Sequence, residues 1–301
     1  MNNQLISGHS LCLGCNAGII GNEIMQAIDE PVIIVLATGC LEVGTTTYPN
    51  SSWPVPTIHV AFGSAPAVAS GIIRAKNILI QKLKKDPKLK KLYPEVDQKI
   101  KIIVIAGDGA TYDIGLGALL AMAERGEDIL YICYNNQAYM NTGIQKSGAT
   151  PIGAENTTQL DWQSIQKLYP KSVVDIMLAQ KIPYVAKSIS NFKNDLGQKV
   201  KKALSIDGPK YIEVLSPCIR GWHYEPKDSM KIVNLAVETN FWPLLEYENG
   251  QLNINYKPKE KIEIEAWLRL QKRFSATVKN KELVNKIQTQ IDINWQNLLK
   301  K

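Results

Sequence analysis

Two groups of residues could do chemistry. The first is Asp108, held between glycines in Gly107-Asp108-Gly109, together with Asn135-Asn136, which follows after 25 residues. Carboxylate and amide oxygens are hard ligands that suit Mg²⁺ better than a transition metal. Flanking glycines let the backbone approach a phosphate closely, and a helix that starts there offers its N–H groups to it. A Mg²⁺-bridged diphosphate is the guest such a pair implies. The second group is Cys12, Cys15, Cys40 and Cys218, in loops or at element ends. A Cys-x-x-Cys at a helix start serves as a redox dithiol, a zinc knuckle or a cluster clamp. With two further thiolates it closes a tetrahedral sulfur site, for zinc or for a [4Fe–4S] cluster, and spacing does not separate the two. Cys133, between apolar neighbours, reads as a small core residue.

These residues need elements to hold them. Residues 101–106, 128–134, 31–37, 183–188 and 209–215 are apolar runs of strand length, the pattern of strands buried on both faces of a parallel sheet. Helical spacing occupies 16–28, 64–85, 112–126, 156–168, 171–180 and 194–204. The alternation predicts an α/β fold with a mostly parallel sheet and helices on both faces. Asp108 and Asn136 then fall on one sheet edge, where such folds bind ligands. Residues 44–56 read as a long ordered loop and 88–99 as a basic linker. From Glu225 the pattern changes. Residues 241–256 form a hairpin turning at Asn249-Gly250, with helices expected at 266–274 and 280–301. The division is thus 1–224 as a binding domain and 225–301 as an extension. His59 reads as structural.

The totals narrow the class. Among 301 residues, 45% are hydrophobic, and no run is long enough to span a bilayer. No secretory leader is visible, so a cytoplasmic location with reduced cysteines is expected. The formal charge is +7, with lysines crowded at 82–91 and 199–202. Such runs are solvated helix faces or a steering surface for an acidic redox partner. No nucleic-acid motif is present.

The spacing of GDG and NN resembles the thiamine diphosphate signature. The run YNNQAYMNTGIQKSGATP, with GHSLCLGC, ATGCLEVGTTTYPNSSWPVP and a late PC-x-x-GW, resembles the 2-oxoacid:ferredoxin oxidoreductase family, specifically the β subunits of its pyruvate-oxidising members. The resemblance covers nearly the whole chain. It implies thiamine diphosphate, with Mg²⁺ held by Asp108, Asn136 and the Ala138 carbonyl. Gly107, Gly109 and Asn141 would contact the diphosphate, and Thr38, Gly39 and Thr142 would complete the cofactor's surroundings. It also implies that Cys12, Cys15, Cys40 and Cys218 hold a [4Fe–4S] cluster. The implied activity is coenzyme A-dependent oxidative decarboxylation of pyruvate, with ferredoxin as electron acceptor. The activating glutamate is expected on an α subunit, with γ- and δ-type subunits as further partners, so no catalytic residue is assigned here. Branched-chain 2-oxoacids or oxalate are alternative substrates. A non-redox thiamine decarboxylase or ligase and a zinc-bearing structural subunit are the rival classes. Asn16 departs from the family's usual glycine; glycine there suggests a left-handed backbone, which asparagine tolerates best among the other residues.

Overall fold

The computed structural model describes residues 4–93, 100–159, 169–192 and 194–301. Eight strands form one sheet: β1 (Val32–Ala37), β2 (Thr57–Val60), β3 (Lys101–Gly107), β4 (Ile129–Asn135), β5 (Tyr184–Ile189), β6 (Lys210–Leu215), β7 (Leu245–Glu248) and β8 (Gln251–Ile254). Their order is β2-β1-β3-β4-β6-β5-β7-β8. The first six are parallel, and β7 and β8 add antiparallel to the β5 edge. The fold is the α/β architecture expected from the sequence.

Alternate side chains of a strand point to opposite faces, and β3 feeds two cores. Ile102 and Val104 join Ala69, Ile73, Leu119, Met122 and Met177 from the helices Ala65–Lys85, Leu116–Glu124 and Val173–Ala179. Ile103 and Ile105 join Ile20, Ile24, Met25, Leu196 and Val200 from the helices Asn16–Gln26 and Asp195–Ser205. With both faces covered, apolar side chains suit every position of the central strands. A third core belongs largely to the C-terminal segment, where Trp267, Phe274, Ile232, Leu283 and Ile287 pack with Trp222. The hairpin turns as expected, with Asn249 and Gly250 at φ +50 and +82. Two consecutive left-handed residues define the turn whose twist matches the flanking strands.

Several boundaries differ from the sequence reading. The helix expected at 112–126 is a π-helix, Gly109–Ile114, followed by the α-helix Leu116–Glu124. Its widened turn closes through Gly115 N–H to the Ala110 carbonyl at 2.8 Å, a spacing that a 3.6-residue period does not register. Residues Cys40–Thr45 are helical, as are Pro87–Leu92, although loop and linker were expected there. The first buries Leu41 and Glu42; the second is capped by Asp86, which accepts from Lys88 and Leu89 N–H. The helix Ser229–Glu238 was not anticipated; its apolar face, Ile232, Val233, Ala236 and Val237, has meaning only against the third core. The segment 266–274 is not one helix. Gln271 is extended at φ −123 and ψ 116, between the helix Glu265–Leu268 and the short turn Lys272–Phe274. Most of the expected 156–168 helix lies outside the described residues.

Candidate active site

The strand order reverses between β1 and β3: the chain leaves β1 to one side for β2, then crosses back to build β3 and β4 on the other. Ligands of open α/β sheets bind at such a switch point, outside the carboxyl ends of the strands. Four adjacent strands end here. β1 leads to Thr38-Gly39-Cys40, β3 to Asp108, β4 to Asn136 and β6 to Ser216-Pro217-Cys218. Over β1, β3 and β4 lies a cleft that opens to solvent. Gly39, Cys40, Gly107, Asp108, Gly109, Asn136, Ala138, Asn141 and Thr142 line it, with Phe62, Tyr134, Tyr139 and Met140. Thr38 stands beside the cleft, and its hydroxyl donates to the Val60 carbonyl at 2.8 Å.

Asp108 is 1% exposed. The Ser147 hydroxyl donates to one carboxylate oxygen and Asn136 N–H to the other, at 3.3 Å. Burial pushes the Asp108 pKa up to about 7, against the pull of those donors. A Mg²⁺ ion is the charge that would hold this carboxylate ionised. The turn after Asn136 is unusual. Gln137 has φ +67, and the Asn135 side chain accepts its N–H at 3.0 Å. The left-handed step leaves the Ala138 carbonyl facing Asn136 and Asp108. The outer atom of the Asn136 amide stands 2.7 Å from the Ala138 carbonyl oxygen and 3.0 Å from Asp108 Oδ1. As nitrogen it donates to both. As oxygen it stands beside both and accepts from Ala138 N–H at 3.4 Å. Neighbouring ligands of an octahedral Mg²⁺ at ~2.1 Å stand ~2.9 Å apart, and both distances from the Asn136 amide suit that spacing.

Two glycines clear the ground beside it. A Cβ on Gly109 would lie 2.5 Å from a Tyr139 ring carbon, and one on Gly39 would lie 2.6 Å from the Tyr134 hydroxyl. Tyr139 is fixed in turn by Asp113, to which its hydroxyl donates at 2.9 Å. Thr142 is engaged with Gln145, donating to its side chain at 2.6 Å.

Cys40 lines this cleft, and the other three candidate cysteines lie near enough to act on its charge. Cys15 is the N-cap of the helix Asn16–Gln26, Cys40 opens the helix Cys40–Thr45, and Cys218 caps the turn Ile219–Trp222. Helix starts present N–H groups, which favour thiolates. Gly221 N–H donates to Cys218 Sγ at 3.4 Å. Cys15 N–H donates to the Cys12 carbonyl at 3.0 Å. Burial pushes the Cys40 thiol up to about 12, and repulsion by Cys218, Cys15, Cys12 and Asp108 adds to the rise. Cys40 Sγ also lies 3.9 Å from Asn141 Oδ1, which joins the cysteine group to the cleft. Cys133 stays apart, fully buried in mid-β4 beside Ala106 and Glu213. Among the described residues, no three His, Cys, Asp or Glu side chains converge on one ion position.

Asn16 corrects an expectation. It is not left-handed; it begins the helix Asn16–Gln26, and the left-handed residue of the loop is Gly14, at φ +74. Its buried amide does a different job. Nδ2 donates to the Pro217 carbonyl at 2.8 Å and lies 3.2 Å from the Tyr224 hydroxyl, while Oδ1 accepts from the Ser190 hydroxyl at 2.8 Å. The residue after Cys15 is thereby tied to the residue before Cys218. Ser147, Gln137, Tyr134 and Tyr139 were also missed as site residues. Their types carry no special signal, although Gln137, Tyr139 and Ser147 lie within the polar run that follows β4. His59 pairs with the buried Glu42 at 2.7 Å, a structural contact.

A family model described as thiamine pyrophosphate enzyme, C-terminal TPP binding domain, matches residues 37–214. The chain thus carries a thiamine diphosphate-binding domain, and the cleft lies within it. Pyruvate synthase subunit PorB of Methanocaldococcus jannaschii is 46% identical over 95% of this chain and 93% of its own length. Ketoisovalerate oxidoreductase subunit VorB of Pyrococcus horikoshii is 38% identical over 99% of this chain and 93% of its own. The chain belongs to the family of pyruvate synthase subunit PorB. A solved 2-oxoglutarate:ferredoxin oxidoreductase from Magnetococcus marinus shares the fold at a TM-score of 0.56 and 19% identity, covering 77% of this chain and 78% of that one. Among the described residues no helix is long and apolar enough to cross a membrane.

Proposed function

We propose that this chain is the thiamine diphosphate- and cluster-binding β subunit of a pyruvate:ferredoxin oxidoreductase, converting pyruvate and coenzyme A to acetyl-CoA and CO₂ with electrons passed to ferredoxin. The observation that carries the reading is the Asn136 side-chain amide within 3.0 Å of both the Asp108 carboxylate and the Ala138 carbonyl, with Cys40 reaching Asn141 of the same cleft. Asp108, Asn136 and the Ala138 carbonyl would hold Mg²⁺. The Gly107 and Gly109 backbone and Asn141 would receive the diphosphate, with Gly39, Thr38 and Thr142 around it. Cys12, Cys15, Cys40 and Cys218 would hold a [4Fe–4S] cluster. Bound thiamine diphosphate supplies the electron sink for loss of CO₂, and the cluster supplies one-electron acceptance. Ser147 and the Asn136 amide orient the Asp108 carboxylate; Tyr134 and Tyr139 wall the cleft.

A second subunit would close the cleft and supply the activating glutamate. Exposed Leu13, Tyr48 and Ile114, the first in the Cys12–Cys15 loop, are apolar groups suited to such a contact. A branched-chain 2-oxoacid is the second reading, favoured by the similarity to the ketoisovalerate subunit. The test is anaerobic purification with and without the co-purifying subunits, followed by iron analysis and viologen reduction with pyruvate and 3-methyl-2-oxobutanoate. Iron at four per chain, and pyruvate-dependent reduction that needs the partner subunits, are expected. Zinc in place of iron, or sustained turnover by the single chain, refutes the reading.

A further inference from the structure

Arg273 is 3% exposed, and the arginine ion pairs among the described residues belong to Arg74, Arg125 and Arg269 instead. Its guanidinium lies 3.8 Å from the centre of the Trp222 ring and 4.9 Å from that of Phe274. Nε donates to Gln271 Oε1 at 2.9 Å and Nη2 to Gln137 Oε1 at 2.7 Å. Amide oxygens and aromatic faces soften the burial of a cation, but a guanidinium keeps its proton in a protein interior. A buried charge without a counter-charge costs several kcal/mol. Burial drives the Arg273 pKa well down, and among the charged groups Cys218 pulls hardest against that, ahead of Tyr224 and Asp108.

The guanidinium lies between segments that carry both groups of site residues. Trp222, under the guanidinium, closes the turn that starts at Cys218, with its N–H on the Cys218 carbonyl at 2.8 Å. The indole Nε1 donates to the Asn136 carbonyl at 2.8 Å. Gln137, the left-handed residue between Asn136 and Ala138, takes the other end of the guanidinium. One residue of the C-terminal segment therefore bears on both halves of the site.

We propose that Arg273 is a positioning residue with two separable effects. Its charge is the counter-charge of the cluster beside Cys218, and its hydrogen bond to Gln137 holds the turn that presents the Ala138 carbonyl. This rests on the cofactor reading above. The test uses the full chain, purified anaerobically with its co-purifying subunits, as wild type, Arg273→Gln, Arg273→Lys and Gln137→Asn. Asparagine tolerates the left-handed backbone but is too short to reach Arg273. The readouts are iron per chain, midpoint potential by titration followed by electron paramagnetic resonance, and thiamine diphosphate affinity by calorimetry in Mg²⁺.

Arg273→Gln lowers the cluster's reduction equilibrium about tenfold, ~59 mV for one electron, and weakens thiamine diphosphate binding. Arg273→Lys restores most of the potential but not the affinity, because an ammonium lacks the planar fork that spans two amides. Gln137→Asn weakens the affinity and leaves the potential in place. If Arg273→Gln does not fold, the other two variants still separate charge from position. Loaded wild type and charge variant with equal potentials overturn the counter-charge role, and unchanged affinity in Gln137→Asn overturns the positioning role. Wild type without iron is a different result: it removes the cluster reading and this proposal with it.

Discussion

The two halves of the site are built differently. Asp108 and Asn136 follow the ends of neighbouring strands whose interior residues are fully buried, and Ser147 and backbone N–H groups already hold the carboxylate. The cysteines ride on loops and helix starts between positions 12 and 218; Cys12 is exposed, and Cys15, Cys40 and Cys218 are half-buried. The oxygen site is rigid because sheet register sets it. The cysteines come from segments far apart in sequence, and Asn16 ties the segment after Cys15 to the one before Cys218.

That contrast sets an order of effects. Asp108→Ala removes the charged ligand from the rigid half; thiamine diphosphate affinity should fall more than ~100-fold, read by calorimetry at saturating Mg²⁺, while iron content stays. Undiminished binding would break the assignment of Asp108. Cys218→Ser should strip iron from the other half and leave the oxygen site formed, so the two losses are independent. Cys133→Ser is the control: full iron, with a stability cost of about 1–2 kcal/mol from a buried hydroxyl. Full iron in Cys218→Ser would end the four-cysteine reading.

Asn16→Ala tests the clamp. It leaves the Ser190 hydroxyl and the Pro217 carbonyl without this partner, at about 1–3 kcal/mol, and iron should be lost faster to a chelator while thiamine diphosphate affinity is kept. An unchanged rate of iron loss would show that the cysteine half needs no such tie.

The smallest effect concerns Glu23, on the helix that follows Cys15. Burial pushes its pKa up to about 7, with Asp195 adding to the rise and the Asn191 N–H opposing it. The folded state then binds this proton more tightly than the unfolded chain, whose pKa is near 4.5. Its contribution is full below about pH 4.5 and is lost as the pH rises through about 7. Glu23→Gln should flatten the melting temperature between those limits. An identical pH profile in the variant would show that Glu23 titrates normally.

The strands were legible because covering both faces demands near-continuous apolar runs, and 101–106 and 128–134 match β3 and β4 to within a residue at each end. Asp108 and Asn136 were legible because a carboxylate and an amide at successive strand ends must share an edge. Arg273 was not. Its sequence neighbourhood reads as one helix, and the break at Gln271 places it against Trp222 and Gln137 instead. Asn16 misled because its type suits a left-handed residue, while its partners lie about 200 positions away.

Residue types and local spacing thus determined the sheet, the hairpin and the placing of Asp108 and Asn136 on one edge, since each depends on neighbours within one or two elements. The order of the strands, the nearness of Cys12, Cys15, Cys40 and Cys218, and the aim of the Ala138 carbonyl came from packing. These depend on contacts across most of the chain: a left-handed turn at Gln137 braced by Arg273, and an asparagine amide reaching from one cysteine loop to the other. Such contacts leave no periodic trace in the residues that make them.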